Sequence, residues 1–147
     1  MEKIVRLATK NDVDSVKAFL QKVDIEISGL EDYIEYFVLM EDDQQNLLAT
    51  VGFQPIDGDG LLRSLVVTPS LKERDILVLF QAIMTVAEEK GMRHLYLATN
   101  KTASISFFEL LKFREILYNQ LPSCIREGSY IEIKEKGPSL HIMEYTL

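Results

Sequence analysis

The chain has little cysteine, little histidine, few basic residues and no long hydrophobic run. Its single cysteine, Cys124, excludes an intrachain disulfide and fits a reduced, cytoplasmic compartment. The two histidines, His94 and His141, lie far apart, so no metal-ligand spacing exists and no metal is expected. Sixteen Lys and Arg face 23 Asp and Glu, a net charge of −7. That balance argues against nucleic acid as a partner, because no broad basic surface is available to phosphates. Apolar runs stay well short of the roughly 20 residues of a membrane-spanning helix, so no membrane association is expected, nor a signal peptide ahead of the first strand. Repeats, low-complexity tracts and linkers are missing too, which leads to one domain over residues 1–147.

What is present is ordinary globular material. Hydrophobic residues make up 47% and charged residues 27% of 147 residues, enough to bury a core and too apolar for disorder. Lys3 to Leu7 alternates as a strand, and Thr9 or Asn11 caps a helix carrying Val13, Val16, Phe19 and Leu20. Ile25 to Glu35 reads as a loop, then a short helix from about Leu30. Tyr36–Met40 and Leu47–Phe53 read as a hairpin, with Gly52 marking a bulge or a close backbone approach. Asp57-Gly58-Asp59-Gly60 is the next turn, and it resembles a calcium loop only superficially, since no bidentate Glu follows. Arg93 to Ala98 is a strand, Ala103 to Lys112 a helix, and Phe113 to Leu117 a strand. Tyr118 to Gly128 is irregular around Pro122, Ser129 to Lys134 is ambiguous, and Leu140 to Tyr145 closes as a strand.

The stretch from Leu61 to Lys90 organises the rest. A strand rich in β-branched residues and leucine, Leu61 to Val67, breaks at Thr68-Pro69. From about Arg74 to Glu89 apolar residues recur at helical spacing: Ile76, Leu77, Phe80, Ile83, Met84 and Ala87. Gly91 stops that helix. A strand feeding a helix through a tight loop aims backbone N–H groups and the helix dipole at one spot, which suits an anionic ligand. The strand after the helix should run parallel to the one before it.

The segment LRSLVVTPSLKERDIL resembles motif A of the GNAT acyltransferases, in which a strand of the type L-x-V-x-P leads into R-G-x-G-x-G/A. A second likeness is LYLATNKTASISFFELLKF, similar to the family's strand, N-x-x-A loop and helix, with Phe107-Phe108 at or beside the usual Tyr. The double Phe, the LRSLVV strand and the tail Leu121-Pro122-Ser123-Cys124-Ile125 look most like the amino-acid and arsenic-resistance N-acetyltransferase branch. The resemblance implies a GNAT fold of mixed α/β (α+β) class, six to seven strands with about four helices. It implies acetyl-CoA as cosubstrate and a small-molecule amine as acceptor.

That family carries several roles onto this chain. The backbone of Leu65, Val66 and Val67 would hold the pantetheine arm, and a bulge in their strand would donate an amide to the thioester carbonyl. The loop Lys72, Glu73, Arg74, Asp75, Ile76 and Leu77 would meet the pyrophosphate, with Asn100 and Phe108 also on the cofactor side. Phe108 stands where a proton-donating tyrosine is usual and has no proton to give, so Tyr118 becomes the candidate acid, with Ser64 at the end of the strand where a base often lies. Arg63 is the candidate clamp for a substrate carboxylate, since its planar fork suits two-point binding, the ordinary alternative being a surface salt bridge. Arg126 is a second carboxylate candidate. Tyr33 and Tyr36 stand at the wall of the acceptor site or in half-buried packing, and Tyr33 is the one assigned to substrate. Cys124 lies outside any nucleophile context, so direct attack in a ternary complex is expected. Helix Thr102–Lys112 and the C-terminal strand offer surfaces for a homodimer.

One departure sets up two functions. Lys72 takes the family's Arg/Gln position, but Glu73, Asp75 and Leu77 stand where the family has Gly, Gly and Gly or Ala. A carboxylate about 6 Å from a phosphate charge, at an effective dielectric of about 20 to 80, opposes binding by roughly 1–3 kcal/mol. The intact strand and helix favour an N-acetyltransferase. The acidic, glycine-poor loop favours a GNAT-fold protein that has lost acetyl transfer and serves as a ligand-sensing or interaction module.

Overall fold

Alternating side chains put Lys3–Leu7 into the first strand, β1, as the sequence predicts. The computed structural model describes residues 3–25, 29–127 and 140–147. Among these, seven strands form one mixed sheet in the order β1-β2-β3-β4-β5-β7-β6, accompanied by five α-helices. This is the GNAT acyltransferase fold. The chain groups into two compact units, Met1–Gln54 with Leu62–Lys90, and Pro55–Leu61 with Gly91–Leu147.

In the first unit, Thr9 and Asp12 close a 3-10 turn that runs into α1 (Val13–Gln21). The Thr9 N–H donates to the Asp12 carboxylate at 2.7 Å, so the N-terminal boundary is Thr9 and not Asn11. A left-handed Gly29 precedes α2 (Leu30–Tyr33). Tyr36 belongs to a 3-10 turn rather than to a strand, and β2 runs Phe37–Asp42. β3 spans Leu47–Ile56, three residues longer than its apolar run predicts. β1, β2 and β3 pair antiparallel, and the irregularity in the β2–β3 ladder falls between Met40 and Glu41, not at Gly52. Gly52 instead lies under the Phe37 ring, where a Cβ would come within 2.7 Å of ring carbons. Ala8, Val16, Leu20, Leu30, Ile34, Phe37 and Leu39 make one core, with Tyr33, Leu47 and Val66 packed against it.

β4 (Asp59–Val67) begins in the second unit and continues in the first. Its lead-in turn is the two residues Asp57 and Gly58, at φ of 51° and 85°, which is the primed geometry that joins twisted strands. Asp59 and Gly60, expected in the turn, are already strand. α3 (Glu73–Glu89) buries Leu79, Phe80, Ile83 and Ala87 and packs on β1 and β2. Leu79 was hidden from the helical spacing because it sits among other apolar neighbours, whereas Ile76, Leu77 and Met84 end half-buried.

The second unit holds β5 (His94–Thr99), α4 (Thr102–Leu110), β6 (Arg114–Ile116), α5 (Ser123–Glu127) and β7 (His141–Thr146). β5 runs parallel to β4, through Gly60 opposite Leu95 and Leu61 opposite Tyr96. β7 lies between β5 and β6, antiparallel to both. Ile56, Leu61, Tyr96, Ile116, Leu121, Ile125 and Ile142 form the core here. The stretch expected to be irregular around Pro122 contains α5, whose Ile125 and Arg126 N–H groups both donate to the Pro122 carbonyl. The ambiguous segment Ser129 to Lys134 lies outside the described residues.

Candidate functional site

The LRSLVV segment is not a regular strand. Ser64 has φ +58° inside β4, while the four other non-glycine residues with positive φ sit in turns or loops. A β-carbon makes that conformation unfavourable, so something must hold it. The buried Thr50 hydroxyl on β3 donates to the Ser64 carbonyl at 2.9 Å. Past this kink β4 is again tied to β3, since the Thr68 N–H donates to the Leu48 carbonyl. Around the kink, Arg63 is exposed and its Nη1 donates to Gln54 Oε1 at 2.7 Å. That bond leaves the guanidinium on the protein surface and gives it a neutral partner. Leu65 is exposed, whereas Val66 turns into the first core.

The chain then passes through Thr68, Pro69 and Ser70 to the N-terminus of α3, where Lys72 is the N-cap residue in extended conformation. Lys72, Glu73 and Arg74 are exposed, while Asp75, Ile76 and Leu77 are half-buried. The Asp75 carboxylate accepts the Lys72 N–H at 3.0 Å and lies 3.6 Å from Lys3 Nζ on β1. The Lys72 N–H bond, then the Lys3 charge, hold its pKa below the ordinary aspartate value against the effect of burial. The two loop carboxylates therefore differ: Asp75 is committed to the helix start and Glu73 faces solvent. Tyr33 packs half-buried against the first core. The first unit thus brings Arg63, Ser64 and the 65–67 backbone into one strand, and Lys72 to Leu77 into the turn and helix that follow it.

In the second unit, Asn100 is exposed just past β5. Phe108 is buried and sits edge-on to both Phe107 and Phe113. Tyr118 is 40% exposed, its hydroxyl 3.4 Å from the Arg126 carbonyl. Arg126 Nε donates to the Leu121 carbonyl at 3.0 Å, which draws the side chain back along its own turn. Cys124 is exposed beside Asp57, whose negative charge pushes the thiol pKa up, the opposite of what a thiolate nucleophile needs. Sequence reasoning missed the network Tyr96–Glu144–Arg114: the buried Tyr96 hydroxyl donates to Glu144 at 3.0 Å, and Arg114 Nε donates to its other oxygen at 2.9 Å. Burial, then the Glu144 carboxylate, raise the Tyr96 pKa, so it stays protonated. It also missed Thr50, for which the one signal was a polar residue inside the apolar run LLATVGF.

Among the described residues, no three His, Cys, Asp or Glu side chains gather as a metal site, and no helix is long and apolar enough to cross a membrane.

No protein-family model matches the chain. It is 31% identical over 110 residues to the uncharacterized protein YwlB of Bacillus subtilis (strain 168), covering 74% of this chain and 75% of that one. N-acetylglutamate synthase from Neisseria gonorrhoeae, crystallised with coenzyme A and N-acetyl-glutamate, superposes with a TM-score of 0.78 at 20% identity. All of this chain is matched there, and it spans 35% of the length of that synthase. A GNAT-family acetyltransferase from Staphylococcus aureus MU50 matches over 99% of both chains, with a TM-score of 0.70 at 18% identity. The chain belongs to the family of Bacillus subtilis YwlB and has the fold of the GNAT acetyltransferases.

Proposed function

We propose that this protein is an acetyl-CoA-dependent N-acetyltransferase of the amino-acid type, acting on a small amine that carries a carboxylate. The observation that carries the proposal is the kink at Ser64, a left-handed residue in a strand that feeds the N-terminus of α3. A break of this kind frees backbone groups from the ladder for a ligand. The pantetheine arm lies along Leu65 to Val67, and the pyrophosphate meets the turn and helix start at Lys72 to Leu77. Support comes from the fold shared with a synthase crystallised with coenzyme A.

In the reaction the amine lone pair attacks the thioester carbonyl, the carbonyl becomes an oxyanion, and the C–S bond breaks to release the thiolate. The amine proton leaves through Ser64 or water, and the thiolate takes a proton from water. A backbone amide at the kink stabilises the oxyanion. Arg63 holds the acceptor's carboxylate by exchanging Gln54 for a charged partner, with Tyr33 as a further acceptor contact. No acyl-enzyme forms, in keeping with the raised Cys124 pKa.

A second reading rests on the Asp75 carboxylate, which already takes the Lys72 N–H at the helix start. A loop so capped and flanked by Glu73 suits a GNAT-fold protein that senses a ligand or a partner without transferring acetyl groups.

Calorimetric titration with acetyl-CoA and with CoA separates the two. Micromolar binding supports the acetyltransferase, and an amino-acid acceptor screen with Arg63→Ala as control follows from it. Absence of binding at millimolar ligand eliminates the acetyltransferase and leaves the second reading.

A further inference from the structure

Thr50 is an unusual residue where it stands. β3 carries the run Leu48, Ala49, Thr50, Val51, all buried, and Thr50 is 0% exposed. A buried hydroxyl needs a hydrogen-bond partner, and a helix or strand neighbour commonly supplies it. Here the partner is 14 residues away: Thr50 Oγ1 donates to the Ser64 carbonyl at 2.9 Å. Ser64 is the described strand residue whose φ is +58°. Serine has no intrinsic preference for that region, and Gly or Asn would be the residue chosen if local propensity alone set it. The conformation is therefore imposed from outside, and the contact that reaches its carbonyl is Thr50.

The direction of that carbonyl fixes a second group. The peptide joining Ser64 to Leu65 is trans, as are all described peptide bonds. In a trans peptide C=O and N–H point in opposite directions. With the Ser64 carbonyl held on Thr50, the Leu65 N–H points away from Thr50.

We propose that Thr50 is a positioning residue: its hydroxyl locks the left-handed Ser64 kink and thereby aims the Leu65 N–H as a hydrogen-bond donor to the carbonyl of an acyl thioester. This rests on the acetyltransferase reading given above. Thr50 itself touches neither substrate nor cofactor.

The test compares Thr50→Val, which keeps shape and burial but removes the donor, with Thr50→Ser, which keeps the donor. Backbone chemical shifts of Ser64 in the free protein report its left-handed conformation whether or not the protein is an enzyme. Thr50→Val should lose that signature and Thr50→Ser retain it. With acetyl-CoA and the amino acid giving the fastest wild-type turnover, Thr50→Val should lower kcat about tenfold or more while KM for acetyl-CoA changes less than about twofold, as for a misaimed oxyanion donor. Thr50→Ser should restore kcat, which separates lost aim from general loosening even where the valine variant folds poorly. An unchanged Ser64 signature in Thr50→Val overturns the lock. A lost signature with unchanged kcat overturns the catalytic consequence. Wild-type protein that neither binds nor consumes acetyl-CoA fails the acetyltransferase reading itself, and the chemical shifts then still decide the lock.

Discussion

The Asp75 carboxylate accepts the backbone N–H of Lys72 at 3.0 Å, closing the first turn of α3 on itself. Lys3 on β1 stands 3.6 Å from the same oxygen, so the helix start is also tied to the sheet. In sequence, Asp75 and Glu73 are equal intruders in a loop where the resemblance calls for glycine. In space they have separate jobs. Asp75 serves the helix that aims its remaining N–H groups outward, and its charge is balanced by Lys3. Glu73, exposed in the first turn, is the carboxylate left to face an approaching anion.

Replacing Asp75 by alanine should therefore lower stability rather than improve ligand binding. Loss of a capping interaction of this type costs about 1 kcal/mol, read as a lower urea midpoint at unchanged slope. Asparagine should recover part of it, since its carbonyl can still accept the Lys72 N–H. Calorimetry should show CoA affinity changed by less than about twofold once the fraction folded is accounted for. A severalfold gain in affinity would mean that Asp75 faces the phosphates after all.

Glu73→Gln should do what Asp75→Ala does not. Removing one exposed carboxylate near a doubly charged pyrophosphate should tighten CoA binding by about threefold, the low end of the Coulomb range because the side chain is solvated. The gain should shrink as salt is raised. Equal affinity at low and high salt for wild type and variant would place Glu73 away from the phosphates.

The Arg6–Asp12 pair gives the fold a pH signature. Arg6 donates two hydrogen bonds to Asp12, at 2.8 and 2.7 Å, and two to Glu41, at 2.7 and 3.3 Å. The Arg6 bonds to Asp12, then the Thr9 N–H, hold the Asp12 carboxyl down to about 2 against the effect of burial. A carboxylate whose pKa is lower in the folded state adds stability above its unfolded value and loses it as pH falls through the folded one. The difference between wild type and Asp12→Asn should thus level off above about pH 5 and fall away towards about pH 1, below the folded pKa. With Arg6 partly in solvent, about 1–2 kcal/mol is expected at neutral pH. A gap independent of pH would assign the loss to the turn rather than to the charge.

Local periodicity carried the sequence reading far, and its failures share a cause. β1, α3 and β5 were legible because each shows its period within one segment. The place of β7 between β5 and β6 was not, because strand order is decided by partners distant in the chain. α5 was obscured by Pro122, which reads as a breaker but here precedes the first turn, where a proline's missing N–H costs nothing. The kink at Ser64 left no local mark at all: LRSLVV contains none of the residues that favour positive φ. Its support comes from Thr50, on another strand. The motif was readable, whereas the hydrogen bond that shapes it is non-local.

Gly52 is the case where the sequence suggested a bulge or a close backbone approach and the structure shows a side-chain ring instead. It pairs directly with Phe37 across β2 and β3, and the buried Phe37 ring lies over its α-carbon. A methyl group there would meet three ring carbons at 2.7–2.8 Å, closer than any real contact. The ring cannot simply swing aside, because it belongs to the first core with Ala8, Val16 and Leu39. Gly52→Ala should therefore destabilise by about 1–3 kcal/mol through overpacking, despite the better strand propensity of alanine. Phe37→Leu alone should also destabilise, by leaving a gap. Combined, the two changes should cost less than their sum, since the smaller side chain makes room for the methyl. Chemical denaturation of the two single variants and the double variant measures this directly. Strict additivity would show that glycine is required at 52 for its backbone and not for the ring above it.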